Sequence, residues 1–312
     1  MTYQIPHEDR VLGRVLAERA QRLGDKPFLT VDGRTWSFAE VHQASQAVAR
    51  GLRAIGVRRG QPVLVMLDNS AEFVLAWFAI ALLDAVTVPV NTAYAGDLLA
   101  YVAQDAGATV AVTSTELAGA FAALAPERRG ALATLVVCGD GARPQGISCF
   151  GWAEVAATPG APVVSQAGPD DIAFICYTSG TTGPSKGVLV PHSMGFQTVQ
   201  TFVNAVGMRE DDTVFSPLPL FHGMSRSMAT LPALALGAQV HLAPRFSATT
   251  FWDDVRRADA TISTTIFTIP PILKRRDPSP ADRDHRVRVM FYFRHDLEFE
   301  ERFNVGLVEA HG

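Results

Sequence analysis

The sequence has no surplus of positive charge: 27 Lys and Arg stand against 31 Asp and Glu, for a formal net charge of −4. Without a basic excess there is no electrostatic case for nucleic acid or an anionic membrane surface as partner. Cysteine is scarce too. Cys138, Cys149 and Cys176 have no metal-ligand spacing. An odd count, behind a polar amino terminus that opens no export segment, favours reduced thiols in the cytoplasm. Long apolar runs are missing as well. The nearest, residues 73–90, is interrupted by Asp84 and Pro89 and has helical spacing in its front half. It reads as a buried helix followed by a strand, not a transmembrane segment. What the chain does have is core material: of 312 residues, 48% are hydrophobic and 19% charged. That composition suits a large globular fold whose partners are small molecules.

The most informative stretch is residues 177–187, YTSGTTGPSKG, arriving out of the apolar run Ile172, Ala173, Phe174, Ile175, Cys176. A short, unbroken, β-rich run reads as a buried strand. After it come Gly180, Gly183 and Gly187, the hydroxyls of Thr178, Ser179, Thr181, Thr182 and Ser185, and one cation, Lys186. Glycines let backbone N–H groups close on phosphate oxygens, hydroxyls add donors, and lysine supplies a compact charge. A Walker loop is excluded, because Ser185 precedes the lysine and Gly187 follows it. A Gly, Ser and Thr cluster after a strand is commonly an ordinary loop. Eleven residues with a lysine in fixed register favour an anion cradle.

Elsewhere strand and helix patterns alternate. A helical segment at Val11, Leu12, Val15 and Leu16 precedes a hairpin turning at Asp32-Gly33, and Ser37 with Glu40 forms a capping box for the next helix. Strands are expected at residues 62–67, 86–90, 109–113 and 135–138, with helices between them and Ser70 capping one. Alternation of this kind predicts a mostly parallel α/β sheet covered on both faces. Residues 143–169, richer in Pro, Gly, Ala and Ser, read as a connection between subdomains of about 1–168 and 169–312. Farther on, Ser247 is placed to cap a helix whose inner face is Phe251, Val255 and Ala258, with Trp252, Asp253, Arg256 and Arg257 outside.

His222 closes the proline-fixed segment SPLPLFHG at residues 216–223. A lone histidine is more often structural than functional; its position makes His222 the residue to watch, His192 a weaker candidate, and His241, inside an apolar strand, a structural one.

The loop resembles the phosphate-binding signature of the adenylate-forming superfamily, with Pro184 and Ser185 in swapped order. LPLFHG at residues 218–223 resembles that family's element ahead of the acyl pocket, and LRAIGVRRG at 52–60 a further family turn. The resemblance spans nearly the whole chain. It implies the large N-terminal domain of an acyl-CoA synthetase, with two similar α/β subdomains. The implied reaction is ATP-dependent activation of a carboxylic acid as acyl-AMP, then acyl-CoA, with ATP, Mg2+ and CoA. Thr178, Ser179, Gly180, Thr181, Thr182, Gly183 and Lys186 would hold the β and γ phosphates, and His222 would border the acyl carboxylate. Residues 218–222 and Arg245-Phe246-Ser247 look most like medium-chain or long-chain acyl-CoA and carnitine-related CoA ligases, hence fatty acid metabolism.

The pattern breaks late. Phe291, Tyr292, Phe293, Arg294, His295 and Asp296 stand where the family has small residues that admit adenine, and His311 replaces an aromatic. The expected magnesium-binding motif, the later ribose-binding aspartate and the small C-terminal domain with its lysine are not found, so no metal ligand is assigned. Two readings stay open: a ligase impaired by truncation or completed by another chain, and a non-catalytic lobe retaining fold and partial binding. Exposed strand edges would allow homo-oligomer formation.

Overall fold

The computed structural model describes residues 2–178, 185–292 and 294–309. The predicted alternation is present and begins with α1 (Leu12–Leu23), β1 (Pro27–Val31) and β2 (Arg34–Ser37). Asp32 and Gly33 join the two strands at φ of 52° and 75°, the left-handed pair that matches a hairpin's twist. The Ser37 hydroxyl accepts the Glu40 N–H at 3.1 Å while the Glu40 carboxylate accepts the Ser37 N–H at 2.8 Å. The expected capping box therefore opens α2 (Phe38–Ala54). β3 (Pro62–Met66), α3 (Ala71–Leu82), β4 (Val86–Pro89), α4 (Gly96–Ala106), β5 (Val110–Ser114), α5 (Thr115–Ala122) and β6 (Thr134–Cys138) follow. The Ser70 hydroxyl caps α3 through the Phe73 N–H at 3.2 Å. Residues Phe73 to Leu82 of that helix are all buried, so it lies inside the protein on every side rather than presenting one apolar face.

Residues 143–169 are not only a connection. They contain β7 (Ser148–Gly151), an edge strand beside β6, and α6 (Trp152–Ala156), which packs on α2. A four-residue strand with no fully buried position leaves no alternation to read. Next come β8 (Ile172–Tyr177), β9 (Gly187–Pro191), α7 (His192–Val206) and β10 (Thr213–Ser216). A helical stretch continues from α8 (Gly223–Ser225) through a π turn at Arg226–Thr230 into α9 (Leu231–Leu236). The described chain closes with β11 (Gln239–Leu242), α10 (Phe251–Arg257), β12 (Ile262–Thr264), α11 (Ile269–Lys274), β13 (Val289–Tyr292), α12 (Leu297–Phe303) and β14 (Gly306–Glu309).

The strands form two sheets, ordered β14-β13-β12-β10-β11-β1-β2 and β7-β6-β5-β3-β4-β8-β9. In each, one antiparallel edge strand, β2 or β9, follows its hairpin partner, and all other pairings are parallel. Successive residues of β3 point opposite ways: Val63 and Val65 join a central core with α1, α2, α3, α7 and α9, while Leu64 and Met66 join an outer core with α4 and α5. The other sheet sends Val214 and Val240 to the central core and Phe215 to an outer core with α10, α11 and α12. The arrangement is five layers, helices between and outside two similar sheets, in keeping with the period-two geometry of strands. Sheet membership crosses the expected 168/169 boundary. β1 and β2 belong with the later strands, and β8 and β9 with the earlier ones.

Two local expectations are corrected at α10. Trp252 is not an outer-face residue: it is buried, stacked 4.4 Å from His285 and 4.9 Å from Phe303. The helix has a second packing partner in the later chain, which single-face periodicity does not register. Ser247 does not cap it; its hydroxyl lies 3.0 Å from that of Thr249, and the Thr250 hydroxyl donates to Asp254 at 2.8 Å. Phe291 and Tyr292 form the buried end of β13.

Candidate active site

The described limbs of the loop at residues 177–187 continue the ends of paired strands β8 and β9. Cys176 pairs with Val188 and Tyr177 with Gly187 across β8 and β9, and the Thr178 N–H donates to the Lys186 carbonyl at 3.2 Å. Of the expected phosphate contacts, Ser179, Gly180, Thr181, Thr182 and Gly183 lie outside the described residues. Thr178 and Lys186 are described and exposed at the two limbs. Glycine at 187 has a steric cause: a Cβ there would sit 2.9 Å from the Ile175 side chain and 3.2 Å from the Tyr177 ring.

Two residues of α4, one turn apart, brace these limbs. The Tyr101 hydroxyl donates to the Ser185 carbonyl at 2.7 Å, and Asp105 accepts the Tyr177 hydroxyl at 2.7 Å. Burial, and next the bond to Asp105, raise the Tyr177 pKa, so the phenol keeps its proton. Sequence reasoning missed this brace; its only signal was the four-residue spacing of Tyr101 and Asp105 on a helix.

The segment ending in His222 is held from the other sheet. Asn69, in the loop after β3 and only 5% exposed, donates to the carbonyls of Leu218 at 2.9 Å and Ala243 at 2.7 Å and accepts the Leu220 N–H at 2.7 Å. Three backbone groups that a loop would leave orphaned are thus satisfied by one amide. His222 donates its own N–H to the Pro219 carbonyl at 3.0 Å and accepts the Met224 N–H on Nδ1 at 3.4 Å. Its pKa is lowered, first by burial and then by Arg226 one helical turn on. The direction of that shift favours the uncharged imidazole at neutral pH.

Arg226 itself was not picked out from the sequence. It is 4% exposed, donates to the Leu220 carbonyl and to Cys176 Sγ, the latter at 3.5 Å, and lies 5.0 Å above the Phe174 ring. Burial pulls its pKa down, yet a guanidinium stays charged in proteins. Among the described residues no carboxylate pairs with it. Thr178, Cys176, His222 and Arg226, with Asn91 and Tyr94, line one cavity of about 380 Å3 at the carboxyl ends of β4 and β8. Ligands of open α/β sheets bind at such strand ends. The structure therefore brings Thr178 and His222 together. His192 lies elsewhere: it is buried, and its Nδ1 accepts the Leu12 N–H at 3.3 Å. His241 of β11 lies tilted against Phe215 of β10, at 5.8 Å between ring centroids. Among the described residues no group of three or more His, Cys, Asp or Glu is placed to hold a metal.

Residues 16–297 match the AMP-binding enzyme family. The chain belongs to that family. Among curated relatives it is 30% identical over 306 residues to the crotonobetaine/carnitine–CoA ligase of Salmonella typhimurium, covering 93% of this chain and 58% of that protein. The ligase of the same name from Salmonella choleraesuis is 29% identical over 301 residues, with the same coverages of 93% and 58%. The chain thus spans under two thirds of the length of these relatives. In fold it is similar to the anthranilate CoA ligase AuaEII, solved with anthranoyl-AMP, at a TM-score of 0.86 and 24% identity over 97% of this chain and 60% of that one. A benzoate CoA ligase from Burkholderia xenovorans LB400 gives 0.83 at 19% identity, over 96% of this chain and 60% of that one. The family fold expected from the motifs is therefore the fold present, α/β with two helix-covered, mostly parallel sheets.

Proposed function

We propose that the chain carries the acid-activating lobe of an ATP-dependent acid–CoA ligase. In this reading the acid's carboxylate oxygen bonds to the α-phosphorus of ATP, the bond to pyrophosphate breaks, and acyl-AMP results. The CoA thiol then attacks the acyl carbonyl, losing its proton, and AMP leaves. The observation that carries the reading is the shared cavity, with Thr178 of the loop on one side and His222 on the other. Thr178, Ser179, Gly180, Thr181, Thr182, Gly183 and Lys186 would hold the β and γ phosphates. Neutral His222 would border the acid's carboxylate without adding like charge to the phosphates. Placing the two reactants together and neutralising charge on the transferring group are the main levers for such a reaction. Mg2+ would supply that neutralisation. None of the described residues is assigned to it.

The kinship to carnitine-CoA ligases supports a small organic acid as substrate, with reduced thiols supporting a cytoplasmic setting. No helix among the described residues is long and apolar enough to cross a membrane. A separate chain, or a second copy, would complete the reaction if this lobe does not act alone. A second reading, a lobe that binds without catalysing, is favoured by Phe291 and Tyr292. These residues are buried and bulky where small ones would admit adenine. Calorimetric titration with MgATP beside Lys186→Ala, followed by pyrophosphate release with a panel of acids and CoA, separates the two. Binding lost in the variant together with acid-dependent release supports the ligase; binding without release supports the second reading.

A further inference from the structure

Arg226 is a buried charge, without a counter-ion among the described residues, in the cavity to which the acid is assigned. It sits deeper than His222, which is exposed, while Arg226 is 4% exposed. Its acceptors among the described residues are weak for a cation, one carbonyl and one thiol, so a guanidinium with five N–H donors is left under-used by them. The described lining of the cavity contains no Asp or Glu. Burying an unpaired charge is costly, and such charges persist where a ligand completes them. A second observation is independent of charge. The helix that carries Arg226 widens into a π turn over Arg226–Thr230, a distortion that recurs at functional sites.

We propose that Arg226 is a specificity-determining residue that pairs with a second carboxylate on the acid, making the preferred substrate a short dicarboxylic acid. The inference rests on the acid-activating reading of this cavity. With one carboxylate beside His222 and Thr178, the other reaches Arg226, whose guanidinium meets it with paired N–H donors and no Asp or Glu among the described lining residues. A fork of donors against a carboxylate is the geometry arginine recognises best. A long unsubstituted acyl chain would instead drive its apolar end against a buried cation.

The test is calorimetric titration of the whole chain with unbranched monocarboxylates and dicarboxylates of three to six carbons at fixed ionic strength, with and without MgATP. The same titrations are made on Arg226→Met, and on Arg226→Gln, which keeps a donor for the Leu220 carbonyl if the methionine variant fails to fold. In the unaltered chain one dicarboxylate should bind roughly tenfold to hundredfold more tightly than its monocarboxylate counterpart. In either neutral variant that preference should vanish, while monocarboxylate binding changes little. Equal binding of both acid types, a preference that survives the neutral variants, or no binding by the folded protein overturns the proposal. So does an equal loss for both acid types, since the guanidinium would then be meeting the reacting carboxylate. Pyrophosphate release, measured in parallel, keeps the two readings apart. Selective binding without release removes the ligase reading and leaves the Arg226 pairing, whereas release with monocarboxylates alone does the reverse.

Discussion

The side-chain oxygen of Asn69 accepts the backbone N–H of Leu220 at 2.7 Å, so a loop of one sheet fixes the segment of the other that ends in His222. Its amide also serves the carbonyls of Leu218 and Ala243. Asn69→Ala would leave one donor and two acceptors unpaired in a site closed to water, at a cost of about 2–4 kcal/mol. Urea denaturation should show the lower midpoint, and acid binding should weaken as the His222 segment loosens. An unchanged midpoint would mean that the amide is not what joins the sheets there.

The brace from α4 should matter for nucleotide more than for folding. Tyr101→Phe removes the single bond to the Ser185 carbonyl, worth about 1 kcal/mol, and leaves the ring in place. MgATP affinity is expected to fall roughly fivefold if that bond is expressed mainly in the bound loop. Calorimetry decides it, and full affinity in the variant would detach α4 from loop positioning.

His192 predicts a pH dependence of stability. Burial pushes its imidazole from the ordinary 6.5 down to about 4. The unfolded chain takes up a proton near 6.5 while the fold resists until about 4, so this contribution is full above pH 6.5 and falls as pH drops through that window. At about 1.4 kcal/mol per unit the total is about 3 kcal/mol. His192→Asn, whose Oδ1 can still accept the Leu12 N–H, should flatten that slope in melts taken between pH 7 and 4. A slope identical to that of the unaltered chain would assign the effect to other groups.

Gly51 tests how closely α6 lies on α2. A Cβ at 51 would sit 2.1 Å from the Val155 carbonyl oxygen, a backbone atom that no rotamer can move. Helix propensity alone would make Gly51→Ala stabilising by about 1 kcal/mol, whereas overpacking costs about 1–3 kcal/mol. The structure predicts that the second effect wins. A raised thermal midpoint would contradict the close approach.

Local patterns carried much of this fold. The Ser37–Glu40 capping box, the Asp32-Gly33 turn and the Ser70 cap all stand where the sequence places them, because each is settled within a few residues. Trp252 was misread for the opposite reason, since its partners His285 and Phe303 come from distant chain, and β7 because its four residues include no buried position to mark a strand. At the site, residues 177–187 and His222 announced themselves by composition and proline context. Asn69 and Arg226 did not, since a loop asparagine and a helical arginine look ordinary until burial is known.

The pairing of β1 with β11 joins Leu29 to Val240, roughly two hundred residues apart along the chain. A sheet closed by such a pairing cannot be completed early in synthesis, and the entropy of closing so large a loop precedes any reward from the contact. Until β11 has been made, the edge of β1 that faces it has no strand to pair with. Refolding should therefore be slow, with the unpaired edge of β1 open to wrong partners in the interval.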